Sequence, residues 1–294
     1  MTEAADPLVL FSDRLAALID HASRGVVAVC GGKHRSISGI HWRAGLVVTA
    51  EGALDRDEDI EVALPDGRRI SATLAGRDPS TDVAVLRIEP DGLPLVETAP
   101  AAALRSGHFI LALGRYEGGP IASQGIVAYA GAAWQSLRGG TIDQFLRLDL
   151  ALSPAAEGGA VFDAGSKVVG MAVLGPRRRA LIIPASTIDR AVDQLLAKGY
   201  VGRGYLGAGL RPVKLAGERR GVLVVGLDGD GPSAKSGLLI GDVIVRWNGK
   251  DIGRVQEVLR HLGTDNVGKT VELTLLRGGS EIKLNIILGE RRLA

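Results

Sequence analysis

Short apolar runs, each closed by a glycine, aspartate or proline, recur along this chain and limit what it can become. Leu46–Val48, Val83–Leu86 and Val168–Val173 are examples. Runs this short, bounded by turn-forming residues, read as strands and not as helices. With 41 glycines and few aromatic residues, they favour an all-β barrel over a helical bundle. A length of 294 residues fits two domains, each large enough for its own core.

Composition excludes several partner classes. The formal net charge of +2 gives no case for nucleic acid or an acidic membrane surface. Arg177-Arg178-Arg179 reads as a solvated hairpin tip. No stretch approaches the ~20 uncharged apolar residues of a membrane span. Cys30 is alone, so no intramolecular disulfide forms, and its apolar strand marks it as a small buried hydrophobe. The histidines show neither HExxH nor Cys-x-x-Cys spacing. His34 and His41 could meet across a hairpin, but two ligands make no metal site. No metal and no cofactor is expected.

Two helices interrupt the strands. Leu8 to Ile19 has apolar positions at helical spacing within an N-terminal helical segment, 1–24. Ser186 to Lys198 carries Val192, Leu195 and Leu196 on one face. Ser186 or Thr187 can cap its start, and Gly199 stops it.

Four stretches then appear in a telling order. Val47-Val48-Thr49-Ala50-Glu51-Gly52-Ala53-Leu54 resembles an apolar strand ending Thr-Asn-Asn-His-Val-Val. Gly76-Arg77-Asp78-Pro79-Ser80-Thr81-Asp82-Val83-Ala84-Val85-Leu86 is similar to a GxDPxxDLAVL run. Gly107 to Gly114 and Gly125-Ile126-Val127 look like the first strands of a second barrel. Leu148 to Gly159 resembles TDAAINPGNSGG, with Ala155, Ala156 and Glu157 replacing Gly, Asn and Ser. Together they resemble the HtrA (DegP-like) serine proteases. The resemblance implies a mostly β chain: a chymotrypsin-like double β-barrel over 25–199 and a PDZ domain over 200–294. It also implies that the Ser186–Lys198 helix links the two, and that the N-terminal segment helps build a trimer. Leu10 and Phe11 are then interface anchors, or else they cap the first barrel.

The same resemblance places the triad at Gly52, Asp82 and Glu157, with only the aspartate kept. Acyl transfer needs a nucleophile activated by a base, and a third group to orient that base. Gly52 offers no proton acceptor, and Glu157 offers a carboxylate, a poor nucleophile toward amides. The family's oxyanion loop carries glycine where this chain has Ala155, so that loop is expected to be collapsed or reshaped. A shifted register would bring in Ser153, but Ser153-Pro154 lacks the following Gly-Gly. Glu157 near Asp82 implies one protonated carboxyl, a cation between them, or Glu157 swung out to solvent or an arginine. The swung-out or arginine-paired state is the expected one.

The remaining function falls to the C-terminal domain. Arg203-Gly204-Tyr205-Leu206-Gly207-Ala208 resembles the family's RGYLG carboxylate-binding loop. Gly241 to Gly249 is close to GDVIxxxNG. By resemblance, Tyr205, Leu206 and Gly207 form the nest for a ligand carboxylate, and Ala208, Gly209 and Leu210 pair with the peptide strand. Val255 and Leu259 form the groove wall, or else pack inward while Val258 and Leu262 face the groove. The expected partners are polypeptides or protein C-termini, with a homotrimer or an assembly with an active paralogue possible. One reading is an inactive HtrA-like scaffold, chaperone or regulator; the other is an active HtrA-type serine endopeptidase in protein quality control. A third is a repurposed ligand- or metal-binding barrel. Residues 1–11 hold Glu3 and Asp6 and no basic, apolar leader pattern, so the chain as it stands is expected in the cytoplasm, or in the periplasm if trimmed.

Overall fold

The apolar runs close into two antiparallel six-stranded barrels. The computed structural model describes residues 6–30, 36–89, 92–116, 119–136 and 138–292. It divides into two units, Met1–Tyr200 and Val201–Ala294.

The first barrel holds β1 (Val26–Cys30), β2 (Ile37–Arg43), β3 (Leu46–Ala50), β4 (Ile60–Ala63), β5 (Arg69–Asp78) and β6 (Val83–Arg87). They run in the order β1-β2-β3-β6-β5-β4, and β1 pairs with β4 to close it. Val27, Val47, Ile60 and Leu86 fill its centre. β-Branched residues on strands that face a closed interior explain the near-continuous apolar spelling of β1 and β3. The second barrel starts with β7 (Phe109–Tyr116) and β8 (Gly119–Ala130). A short ribbon, β9 (Trp134–Gln135) and β10 (Thr141–Ile142), leaves it before the barrel resumes. β11 (Leu146–Asp149), β12 (Ala160–Asp163), β13 (Val168–Leu174) and β14 (Ala180–Pro184) complete it. β11 pairs with both β14 and β8, closing the ring. Buried Arg115 on β7 ties the barrels together, its Nε donating to the Val26 carbonyl at 2.7 Å and Nη2 to that of Ser23 at 2.8 Å.

Helix α1 (Pro7–Ala22) is capped by Asp6, whose carboxylate accepts the Leu8 N–H at 2.8 Å. Leu8, Val9, Leu10 and Phe11 are exposed. Phe11 meets Phe109 edge-on at 6.4 Å, so this end of α1 touches the second barrel. Helix α2 (Ala185–Lys198) stops at Gly199, in the left-handed conformation with φ 75°. Neither hydroxyl caps it. Ser186 donates to Asp143 at 2.6 Å, and Thr187 accepts the Asp143 N–H at 3.0 Å. Arg190 donates to the same carboxylate at 2.7 Å. Asp143 thus staples the β9–β10 segment to α2. Arg177 and Arg178 lie at the exposed β13–β14 tip. Cys30 is half-buried, 3.9 Å from the Ser36 hydroxyl.

The second unit carries β15 (Gly202–Tyr205), β16 (Ala208–Lys214), β17 (Arg220–Leu227), α3 (Pro232–Lys235), β18 (Val243–Trp247) and β19 (Lys250–Asp251). α4 (Val255–Arg260), β20 (Thr270–Arg277), β21 (Ser280–Ile287) and β22 (Gly289–Arg292) follow. Its main sheet runs β16-β17-β18-β20-β21, with β16 on one edge. Leu206, Val224, Trp247, Val258 and Leu273 form the core. Buried Asp242 takes two Arg277 hydrogen bonds at 2.7 Å and the Leu239 N–H at 2.8 Å. Burial pushes its carboxyl up, but Arg277 and the Leu239 N–H outweigh that and hold it below the ordinary value.

Candidate functional site

The turn between β5 and β6 builds the first site. Asp78 is buried and acts as its cap, taking the Ser80 N–H at 3.0 Å, the Ser80 hydroxyl at 2.6 Å and the Thr81 hydroxyl. This turn delivers Asp82 with φ 61°, a left-handed conformation that aspartate tolerates better than most residues. Asp82 Oδ1 accepts the Gly52 N–H at 2.7 Å. A Cβ built on Gly52 would lie 3.3 Å from that oxygen and meet no other heavy atom within 4 Å. Position 52 therefore abuts Asp82 and is otherwise open. Burial pushes the Asp82 carboxyl up to about 6; the Gly52 N–H opposes the rise, while the charges of Glu157 and Glu51 add to it.

Glu157 follows a 3₁₀ turn, Pro154–Ala156. Its carboxylate neither pairs with an arginine nor bonds Asp82. It accepts the Leu174 N–H at 3.1 Å and is half-buried, so the expected swing to solvent or arginine does not occur. A backbone donor on β13 lies closer to hand. The 3₁₀ turn engages the loop's own amides: Ala156 N–H donates to the Ser153 carbonyl at 2.9 Å, and Glu157 N–H points to that of Pro154 at 3.4 Å. The Ala155 carbonyl is held inward by the buried Ser38 hydroxyl at 2.7 Å. The loop is thus wound on itself, with these amides turned to its own carbonyls. The two glycines after Glu157 have a packing reason to stay. Gly158 has φ 82°, and a Cβ there would sit 2.3 Å from the Ser38 carbonyl; at Gly159 it would sit 2.1 Å from that of Leu113.

A cleft of about 330 Å³ opens at this point. Glu51, Gly52, Asp82 and Arg138 form its polar end, and Ile142, Val173, Leu181 and Ile183 its apolar floor. Glu51 is buried and holds Arg77 at 3.3 Å and Arg138 at 3.4 Å. The hydroxyls lining the cleft are committed: Ser80 and Thr81 to Asp78, and Ser136 to the Ser80 carbonyl at 2.6 Å. Among the described residues, no histidine and not Ser153 lines it. His41 is buried on β2 and donates from Nδ1 to the Pro94 carbonyl at 3.1 Å; His34 lies outside the described residues. No group of three or more His, Cys, Asp or Glu residues among the described ones is placed to hold a metal.

Sequence reasoning missed Glu51, Arg138, Ser38 and the β9–β10 ribbon. Glu51 adjoins Gly52, and an acidic residue inside an apolar strand end is a signal of a buried partner. The ribbon has no periodicity to announce it.

The second site lies between β16 and α4. Val258 and Leu262 pack inward, while Val255 is half-buried and Leu259 exposed. Glu257 accepts the Gly253 and Arg254 N–H groups at 2.8 and 3.0 Å, fixing the start of α4. Tyr205 pairs with Gly289, and its hydroxyl donates to Asp228 at 2.5 Å. The Leu206 and Gly207 carbonyls accept Ser233 and Asp228 N–H groups, both at 3.0 Å. Among the described residues, the Leu206 and Gly207 N–H groups have no intramolecular acceptor. Gly207 has φ 73°, the conformation that lets successive amides face one point. Ala208, Gly209 and Leu210 lie on the free edge of the sheet.

Two domain families match these two folds: a trypsin-like peptidase domain over residues 37–171, and a PDZ domain over 204–288. A DegP-like probable periplasmic serine endoprotease of Bartonella henselae is 33% identical over 259 residues, covering 83% of this chain and 51% of that protein. Periplasmic serine endoprotease DegP of Escherichia coli K12 is 30% identical, covering 83% and 54%. It is an HtrA/DegP-like trypsin-fold protease homologue with a C-terminal PDZ domain. The HtrA-type protease AlgW, solved with a decapeptide, superposes with a TM-score of 0.77 at 25% identity, covering 95% of this chain and 99% of that one. The serine endoprotease of Yersinia pestis gives 0.74 at 27%, covering 94% and 97%. The chain spans about half the length of the curated relatives it matches. These HtrA relatives also correct one expectation. They are periplasmic, which points to the periplasm and away from the cytoplasm. An export signal is a removable address and not part of the fold, so residues 1–11 carried no weight on location.

Proposed function

We propose that this HtrA homologue is catalytically inactive and binds peptides or protein C-termini through its PDZ groove, as a scaffold, chaperone or regulator. The observation that carries the reading is the pairing at the old triad. Asp82 faces a glycine, and the residue that follows the loop is a carboxylate bonded to backbone. With no base there and the cleft hydroxyls committed elsewhere, no group is available to be activated. In a working triad, loss of either nucleophile or base costs on the order of 10⁶ in turnover. The periplasmic serine endoproteases among its relatives give the setting, and the exposed α1 face gives a candidate surface for a trimer or for an active paralogue.

Peptide capture rests on the two unpaired amides of Leu206 and Gly207 beside an open strand edge. Fluorescence anisotropy of apolar-ended peptides with the full chain tests it. Peptides with a free C-terminal carboxylate are expected to bind at least about tenfold more tightly than the same peptides amidated, a difference of about 1.4 kcal/mol. Equal affinity would reject the groove as the carboxylate site.

The competing reading is an active endopeptidase. Its support is the kin: the similar proteins are named serine endoproteases. It requires a histidine and a hydroxyl to reach Asp82 in a rearranged state.

A further inference from the structure

The cleft beside Gly52 is more than a remnant. One Asp82 carboxylate oxygen, Oδ1, is satisfied by the Gly52 N–H; the other, Oδ2, has no donor among the described residues. The charges facing it are Glu51, Glu157 and Arg138. Arg138 is answered by Glu51, which also holds Arg77. The cleft thus offers a half-buried acceptor whose ionisation is opposed by burial and by the carboxylates of Glu51 and Glu157. Beside it, a Cβ at position 52 would touch Asp82 Oδ1 at 3.3 Å and meet no other non-neighbouring heavy atom within 4 Å, so the cleft is open on that side. Below runs the aliphatic floor of Val173, Leu181 and Ile183. The volume of about 330 Å³ matches the low end of small-molecule sites.

We propose that this cleft binds a small organic monocation with an apolar body, an aryl- or alkylammonium, whose ammonium group donates to Asp82 while its body lies on the aliphatic floor. An ammonium donor supplies the opposite charge that Asp82 lacks, and a charge-assisted hydrogen bond is strongest where water is excluded. The apolar body gains from covering side chains that line an open cleft. A neutral ligand of the same shape gains only the second contribution. The site does not depend on the PDZ groove.

Benzylamine is the probe, with benzyl alcohol as its neutral counterpart, each titrated into the full chain by calorimetry and ligand-observed NMR. Benzylamine is expected to bind saturably at pH 7.5 and at least about fivefold more tightly than benzyl alcohol. Asp82 must be ionised to accept the ammonium, and burial lifts its carboxyl to about 6. Binding therefore weakens by about tenfold from pH 7.5 to pH 5, following the ionised fraction. Asp82→Asn removes the charge and keeps the acceptor for Gly52, and Gly52→Leu fills the open space. Both are expected to abolish benzylamine binding, while a retained cooperative thermal transition of the first unit shows that the variant barrels are folded. No saturable binding by the wild-type chain, equal binding of benzyl alcohol, or binding retained in either folded variant overturns the proposal.

Discussion

At the residue scale, Asp82 shows how a carboxyl behaves when its neighbour is a glycine and not a side-chain base. A histidine beside it would compensate its charge. Here the half-buried carboxyl is lifted to about 6 by burial, against the one amide it accepts and with the charges of Glu157 and Glu51 adding to the rise. The folded state then binds a proton that the unfolded state, with an ordinary carboxyl near 3.8, has already released. Native stability is accordingly full below the ordinary value and falls as pH rises through the window from 3.8 to about 6. Asp82→Asn escapes this loss. Its stability relative to wild type is expected to improve by about 2 kcal/mol between pH 4 and pH 7.5, since each pKa unit is worth about 1.4 kcal/mol. Urea melts at the two pH values check it, and a pH-independent difference contradicts it. Restoring side chains alone does not restore chemistry. The double substitution G52H/E157S is expected to stay near background in peptide hydrolysis, because the loop around Ala155 stays wound on its own carbonyls. Adding Ala155→Gly is expected to raise turnover by about 10², the scale of one oxyanion donor.

At the element scale, the Gly158–Gly159 pair is required because two strands, β2 and β7, pack against it. Gly159→Ala drives a Cβ into the Leu113 carbonyl on β7 and is expected to destabilise the first unit by about 3 kcal/mol or more, read from its thermal unfolding. A shift of under 1 kcal/mol would mean the loop is free to move. Elements like these were legible in the sequence where periodicity and turn chemistry agreed. Leu46–Val48, Val83–Leu86 and Val168–Val173 lie in β3, β6 and β13, as their short apolar spelling predicts, and α2 stops at Gly199. The start of α2 was misread, since Ser186 and Thr187 look like caps but serve Asp143, a partner over forty residues away that no local pattern shows. The same limit hid Glu51 with Arg77 and Arg138, and hid the turn of Glu157 to Leu174. Position 52 and Asp82 were legible because short motifs carried them. Their surroundings come from tertiary contacts.

At the scale of the whole molecule, the proposed function separates a silent barrel pair from a peptide-binding PDZ groove. The exposed stripe Leu8, Val9, Leu10 and Phe11 on α1 is the surface most in need of a partner. If it builds a trimer, Phe11→Asp converts the chain to monomers in size-exclusion chromatography with light scattering. An unchanged mass would assign the stripe another role. The account stands or falls on the silence of the old active site, which casein cleavage by the purified chain measures directly, with Asp82→Ala run alongside to expose contamination. The account predicts no turnover above that control in either protein. Turnover by the wild-type chain that Asp82→Ala abolishes would contradict it, and would mean that a nucleophile and a base reach Asp82 after all.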